Sequence, residues 1–289
     1  MKASQSSKLA RELISRRALA VGRRLTPAVR PLFALVRDVP ELVGTCVLLG
    51  VNETLFVLSA AHVLDERHRG LLIGGAKGVT DLAGDFISTT LPERGGRSAD
   101  RNDVGIVRLA TGVQRALSDL LVLTPADVDV DDRSSIPGQA KPHYLVLGYP
   151  SSKARASISE RRVKCEGFIL TALPASAATC EKLGVGDHSH VVLDFEQRDV
   201  TSVDGRSTAP SLRGVSGGGV WSLGTSFDVE GRHAKLAAIG IEWHVRGPKA
   251  IVGTRLALFV EVIRRHCPEL SAYIPVPRRI RVKLGGAAV

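Results

Sequence analysis

The chain has 289 residues, of which 44% are apolar, so it can bury a large core, and it contains no apolar run of the roughly eighteen residues a membrane span needs. Its formal net charge is +10, but residues 1–37 carry +8 and residues 276–289 carry +4, which leaves about −2 for everything between them. A near-neutral body with 4% aromatic residues lacks the basic face and stacking rings of a nucleic-acid module, so no nucleic acid is expected as a partner.

Residues 1–39 read as a basic amphipathic segment. Leu9, Leu13, Arg17 and Ala20 share one helical line, and Ile14, Ala18, Val21 and Leu25 share a neighbouring one, which predicts a helix ending before Pro27. Three roles stay open for it: packing on the body or on a partner protein, attachment to an anionic surface, and targeting to an organelle. A secretory signal is disfavoured because Arg16-Arg17 and Arg23-Arg24 interrupt any apolar stretch.

From Gly44 onward, short β-rich runs recur: Gly44 to Leu49, Leu55 to Leu58, Val104 to Leu109, Tyr144 to Leu147, Gly167 to Thr171, His190 to Phe195, Gly219 to Ser222 and Leu236 to Glu242. Turn residues such as Gly74-Gly75, Gly95-Gly96 and Pro137-Gly138 separate them, a pattern that predicts a β-sandwich or barrel. His188 and His190 alternate at the entry of one run. Near the end, Leu256, Val260, Ile263 and Arg264 fall at helical spacing, so a helix is expected over 254–266, stopped by Pro268. Beyond it, residues 278–284 alternate charged and apolar side chains, as an edge strand or a docking tail would.

Three segments carry chemistry, in a fixed order: Leu58-Ser59-Ala60-Ala61-His62, Asn102-Asp103-Val104-Gly105-Ile106-Val107, and Gly214-Val215-Ser216-Gly217-Gly218. A serine hydroxyl is a weak nucleophile and needs a histidine to take its proton. A carboxylate on the far ring nitrogen holds that histidine in the working tautomer. A tetrahedral intermediate needs preorganised donors, and a glycine-rich turn can aim successive amides into one pocket. These needs select Ser216 as nucleophile, His62 as base and Asp103 as orienting acid, with the amides of Gly214 and Ser216 as oxyanion donors. Taken singly, His62 reads as a strand cap and Asp103 as a turn residue. The order His, Asp, Ser is what joins them.

On these motifs the chain resembles the chymotrypsin/trypsin-like serine peptidases, in their bacterial-type form without disulfides. The resemblance covers roughly residues 40 to 267. It implies an all-β fold of two six-stranded antiparallel barrels, about 40–125 and 140–255, with the three residues in the cleft between them and a C-terminal helix over about 254–267. The basic segment 1–39 and a basic tail 268–289 would flank this body. The resemblance also implies a pocket for the residue before the scissile bond, with Pro210 at its floor and Trp243, His244 and Val245 along a wall. No acid stands at the floor position, so a small or apolar side chain is expected there.

Two departures qualify the resemblance. Val215 stands where digestive relatives place the aspartate that pairs with a new N-terminus, so activation by that route is not expected. Cys46, Cys165, Cys180 and Cys267 are far apart, with no Cys-x-x-Cys pair, so no metal site or cofactor is expected and four reduced thiols in a cytoplasmic protein are. The expected function is serine endopeptidase activity on a protein or peptide substrate. The absence of a peptide-binding module after residue 267 points toward a specific or signalled substrate. The alternative is an inactive scaffold of the same fold that binds proteins.

Overall fold

The computed structural model describes residues 14, 16–76, 78–130, 142–157, 162–186, 188–197, 200–202, 205–224 and 233–277. The expected tail at 278–284, and Leu9 and Leu13 of the N-terminal helix, lie outside the described residues.

The first sheet has seven strands, one more than expected: β1 (Val29–Val36), β2 (Val39–Val51), β3 (Thr54–Ala60), β4 (Leu71–Gly74), β5 (Val79–Asp81), β6 (Gly84–Ser88) and β7 (Val104–Leu109). They lie in the order β5-β4-β1-β2-β3-β7-β6, with every pairing antiparallel. Strand β1 falls inside the segment read as a separate N-terminal region. Its run Val29-Arg30-Pro31-Leu32-Phe33-Ala34 belongs to the core, and Arg37 and Asp38 turn it back into β2 at φ of 52° and 64°. Positive φ at both central residues is what a tight two-residue hairpin needs. Charged residues in this turn hid the strand from a reading based on glycine and proline.

The second half contributes β8 (Tyr144–Gly148), a small hairpin of β9 (Ala154–Ser157) and β10 (Arg162–Cys165), β11 (Phe168–Ala172), β12 (His190–Asp194), a second small hairpin of β13 (Val200–Ser202) and β14 (Gly205–Ser207), then β15 (Gly219–Ser222), β16 (Lys235–His244) and β17 (Ala250–Arg255). Its main sheet has six strands in the order β11-β8-β15-β16-β17-β12. Register shifts interrupt β16 between Gly240 and Glu242, where the strand passes the candidate site.

Among the described residues there are five α-helices. Helix α1 takes in residues 14 and 16–25 of those described. Helices α2 (Ala61–Leu64), α3 (Thr111–Ala116), α4 (Ala177–Leu183) and α5 (Leu256–His266) follow. Helix α5 starts two residues later than expected, because Thr254 is still paired in β17 opposite His190. No helix among the described residues is long and apolar enough to cross a membrane.

The largest core cluster joins both sheets: Leu49, Phe56, Leu58 and Ile106 meet Leu145, Leu147, Trp221 and Leu236, and α5 adds Phe259 and Ile263. Each fully buried Leu, Ile or Phe contributes about 1.5–3 kcal/mol. Ala18, Val21 and Leu25 of α1 enter this same cluster, and Gly22 lets the helix close on Ile169. Arg17 donates to the Leu223 carbonyl. Of the three roles open to this segment, packing against the body is the one the described part of the helix takes.

Candidate active site

His62 lies two residues beyond β3, whose last residues Ser59 and Ala60 are small and fully buried. The chain turns there into the short helix α2. Asp103 closes the loop before β7, beside β3, so strand pairing brings the two residues together across 41 positions. The His62 Nδ1–H donates to Asp103 Oδ2 at 2.5 Å, and the His62 backbone N–H donates to Asp103 Oδ1 at 2.9 Å. The Ala61 N–H donates to the Asp103 carbonyl at 2.9 Å. Both carboxylate oxygens are thus taken by His62, and the proton on Nδ1 leaves Nε2 with a free lone pair.

The Asp103 side chain is 7% exposed and that of His62 is 40% exposed. Burial, the largest single influence on His62, disfavours its charged form. The hydrogen bond to Asp103 and the charges of Asp103, Asp65 and Glu242 together outweigh it and raise the pKa above the ordinary histidine value. Asp65 is itself clamped by Arg97, whose Nε and Nη2 donate to its two oxygens at 2.7 and 3.2 Å. The same guanidinium donates from Nη1 to Asp100 at 2.8 Å and to the Thr89 carbonyl at 2.8 Å, tying the turn after His62 to the loop before Asp103.

Ser216 comes from the other half of the molecule, in the loop before β15. The Thr45 N–H donates to the Ser216 carbonyl at 2.8 Å, and Thr45 Oγ1 donates to the Gly214 carbonyl at 2.8 Å. Gly217 sits at φ +85°, and a Cβ there would stand 1.9 Å from the Thr45 carbonyl oxygen and 2.2 Å from Ser59 Oγ. Only glycine lets the loop lie this close to the strands that lead into His62. Gly214 also has positive φ, +91°.

Two peptide groups in this loop are aimed by their neighbours. The Arg213 carbonyl accepts from the Ser151 N–H at 2.7 Å, and the Val215 carbonyl accepts from the Gly218 N–H at 2.8 Å. In a trans peptide the following N–H points the opposite way, so the Gly214 and Ser216 amides are turned away from those partners. Neither amide donates to a backbone carbonyl among the described residues. The Ser216 hydroxyl donates to the Ile241 carbonyl at 3.4 Å and, among the described residues, makes no hydrogen bond to His62.

Beside Ser216 is a narrow cavity of about 20 Å³, lined by Val146, Leu212, Val215, Ile241, Trp243 and Ile251, with Glu242 at its edge. That is room for little more than one water molecule. Of the residues expected around a substrate pocket, Trp243 lines this cavity, braced edge-on by Phe195 at 6.5 Å between ring centres. Pro210 does not line it, and Leu212 takes the inner position. His244 turns instead to Glu242, with Nε2 3.1 Å from its carboxylate, and Val245 lines a separate hollow with Phe195, Glu196, Gln197 and Lys249. Two backbone features explain the difference. The bulge in β16 re-aims the residues after Gly240, and the bond from Val215 N–H to the Leu212 carbonyl at 2.9 Å folds Leu212 inward.

None of the four cysteines is in a disulfide; Cys46 and Cys267 are buried, and Cys165 and Cys180 are half-buried. Burial pushes the Cys46 thiol up to about 12 and the Cys165 thiol up to about 11, with Arg30 acting weakly against it. Among the described residues, no group of three or more His, Cys, Asp or Glu side chains is placed to hold a metal.

No protein-family model matches the sequence, and no curated protein does. Solved structures match in fold. The serine endoprotease from Yersinia pestis superposes with a TM-score of 0.51 at 13% identity, over 86% of this chain and 65% of its own length. Mouse neuropsin, a serine protease, gives 0.49 at 15% identity over 83% of this chain and 94% of its own. The MamO protease domain from Magnetospirillum magneticum gives 0.45 at 14% identity over 82% and 96%. The Yersinia likeness, with the two curled antiparallel sheets and the C-terminal helix, shows a chymotrypsin-like fold. This chain spans about two thirds of the Yersinia protein's length.

Proposed function

We propose that this chain is a serine endopeptidase acting on proteins or peptides. The observation that carries the proposal is the pair of hydrogen bonds from His62 to the Asp103 carboxylate beside a serine loop whose Gly214 and Ser216 amides donate to no backbone carbonyl among the described residues. In this reading Ser216 Oγ attacks the substrate carbonyl carbon while its proton passes to His62 Nε2. The oxygen, now negative, accepts from the Gly214 and Ser216 N–H groups. His62 then gives the proton to the departing amine as the peptide C–N bond breaks. Water repeats the sequence on the acyl-enzyme and restores Ser216. Asp103 fixes the imidazole and stabilises its charged form.

The apolar, narrow cavity supports a small aliphatic side chain before the scissile bond. Equal cleavage of peptides that differ only in that residue, from alanine to phenylalanine and arginine, would remove this part of the proposal. A reducing, cytoplasmic setting is proposed with it, supported by four cysteines with no disulfide among them.

A second reading is an inactive protein-binding scaffold. The observation favouring it is the Ser216 hydroxyl turned to Ile241 rather than His62. Labelling with a fluorophosphonate, which reacts with a base-activated serine, separates the two. The peptidase reading expects labelling of the wild type that disappears in both Ser216→Ala and His62→Ala. Folded wild type that resists the probe, alone and after addition of lysate, selects the scaffold.

A further inference from the structure

The Asp103 carboxylate has no hydrogen-bond partner among the described residues other than the two nitrogens of His62. Its direction therefore depends on the main chain that carries it, and that main chain is strained. Asp103 sits at φ 47°, a left-handed conformation that costs a non-glycine residue free energy and persists only where neighbours over-determine it. First-sheet groups hold the far side, through Ala61 N–H and through Asp100, which accepts from Asn102 N–H at 3.1 Å.

The near side is held from the second sheet. His190, which is 3% exposed, directs Nε2 at the Arg101 carbonyl at 2.7 Å. A carbonyl can only accept, so Nε2 carries the proton, and Nδ1 accepts from Ser189 Oγ at 2.8 Å. Thr254, fully buried, donates from Oγ1 to the next carbonyl, Asn102, at 2.5 Å. His190 and Thr254 are directly opposed on β12 and β17, so two neighbouring positions of one sheet grip two successive carbonyls immediately before Asp103. The Arg101 side chain adds a third tie, donating to the Leu183 and Gly184 carbonyls at the end of α4.

The geometry points to His190, with Thr254 beside it, as a positioning residue for the active site: the second sheet holds Asp103, and through it His62, in working orientation. The inference rests on the serine-peptidase reading. It makes docking of the two halves a condition for a competent histidine, not only for the serine to meet it.

Four variants of the full chain test it: His190→Leu and Thr254→Val remove the donors, while His190→Gln and Thr254→Ser keep one. Thr254→Val is nearly isosteric and guards against a His190→Leu protein that fails to fold. Two quantities are read: the rate of fluorophosphonate labelling and the titration of His62 by NMR. Loss of either donor is expected to slow labelling by about 10- to 100-fold, the scale of a small misplacement of reacting groups. It should also move the His62 pKa down toward the ordinary value, and the conservative variants should restore most of both. Folded His190→Leu and Thr254→Val proteins with unchanged labelling rate and unchanged His62 titration would overturn the inference. Wild type that never labels defeats the peptidase reading, while the His62 titration still decides the clamp.

Discussion

His62 and Asp103 are joined through side chains, whereas Ser216 is placed almost wholly by main chain. On the first side, two bonds from one histidine occupy one carboxylate, and Arg97 ties the turn after His62 to the loop before Asp103. On the second, carbonyls and amides of residues 213–218 are held by Thr45, Ser151 and one another, with glycine where any side chain would collide. The difference follows from the chemistry each half must do. A histidine needs one fixed tautomer, which a carboxylate imposes. An oxyanion needs bare amides, which only a loop bonded elsewhere can spare.

The comparison can be broken first on its serine side. Gly217→Ala puts a methyl group within 2 Å of the Thr45 carbonyl, at a φ that L-residues avoid. Complete loss of labelling is expected, with destabilisation of about 3 kcal/mol, read by chemical denaturation. Normal labelling by this variant would mean that close contact with Thr45 does not place the serine. On the other side, Asp103→Asn preserves the shape but no longer imposes the Nδ1–H tautomer. Labelling should slow on the order of 10⁴-fold with the fold intact, and a loss under tenfold would detach Asp103 from the chemistry.

The smallest effect lies where the halves touch electrostatically. His62 must be neutral to act as base, and its pKa is raised. The labelling rate should therefore climb with pH through a midpoint above 6.5, the ordinary histidine value. Glu242, from the serine side, is the weakest of the influences raising it, so Glu242→Gln should move that midpoint slightly down. A midpoint that stays put would show that the charge of Glu242 does not reach His62. Stability carries the opposite sign. A raised folded-state pKa favours the folded protein fully below the unfolded histidine value, and this contribution fades as pH rises through the folded one. Comparing wild type with His62→Gln across that window by thermal unfolding should show the gap narrowing as pH rises.

Much of this was legible in the sequence for a local reason. Val104–Leu109 and Gly219–Ser222 have the bounds the sequence predicts, since short β-rich runs between turn residues define strands over a handful of positions. Strand β1 was missed because its turn is Arg37-Asp38 and its neighbours are basic. His190 was visible only as one of two alternating histidines. Its meaning depends on Arg101, 89 positions away, and no local pattern encodes that pairing.

The order of His62, Asp103 and Ser216, the glycines that admit the serine loop, and the short β-rich runs that make the two sheets are written in short stretches of chain. From them the fold class and the candidate residues follow. The tertiary structure alone decided that α1 closes over the shared core, that Leu212 rather than Pro210 faces the cavity, and that His190 and Thr254 grip the two carbonyls before Asp103. Local patterns report what a residue prefers. Positioning of reacting groups comes from contacts across dozens of residues, and only the packed chain brings those into range.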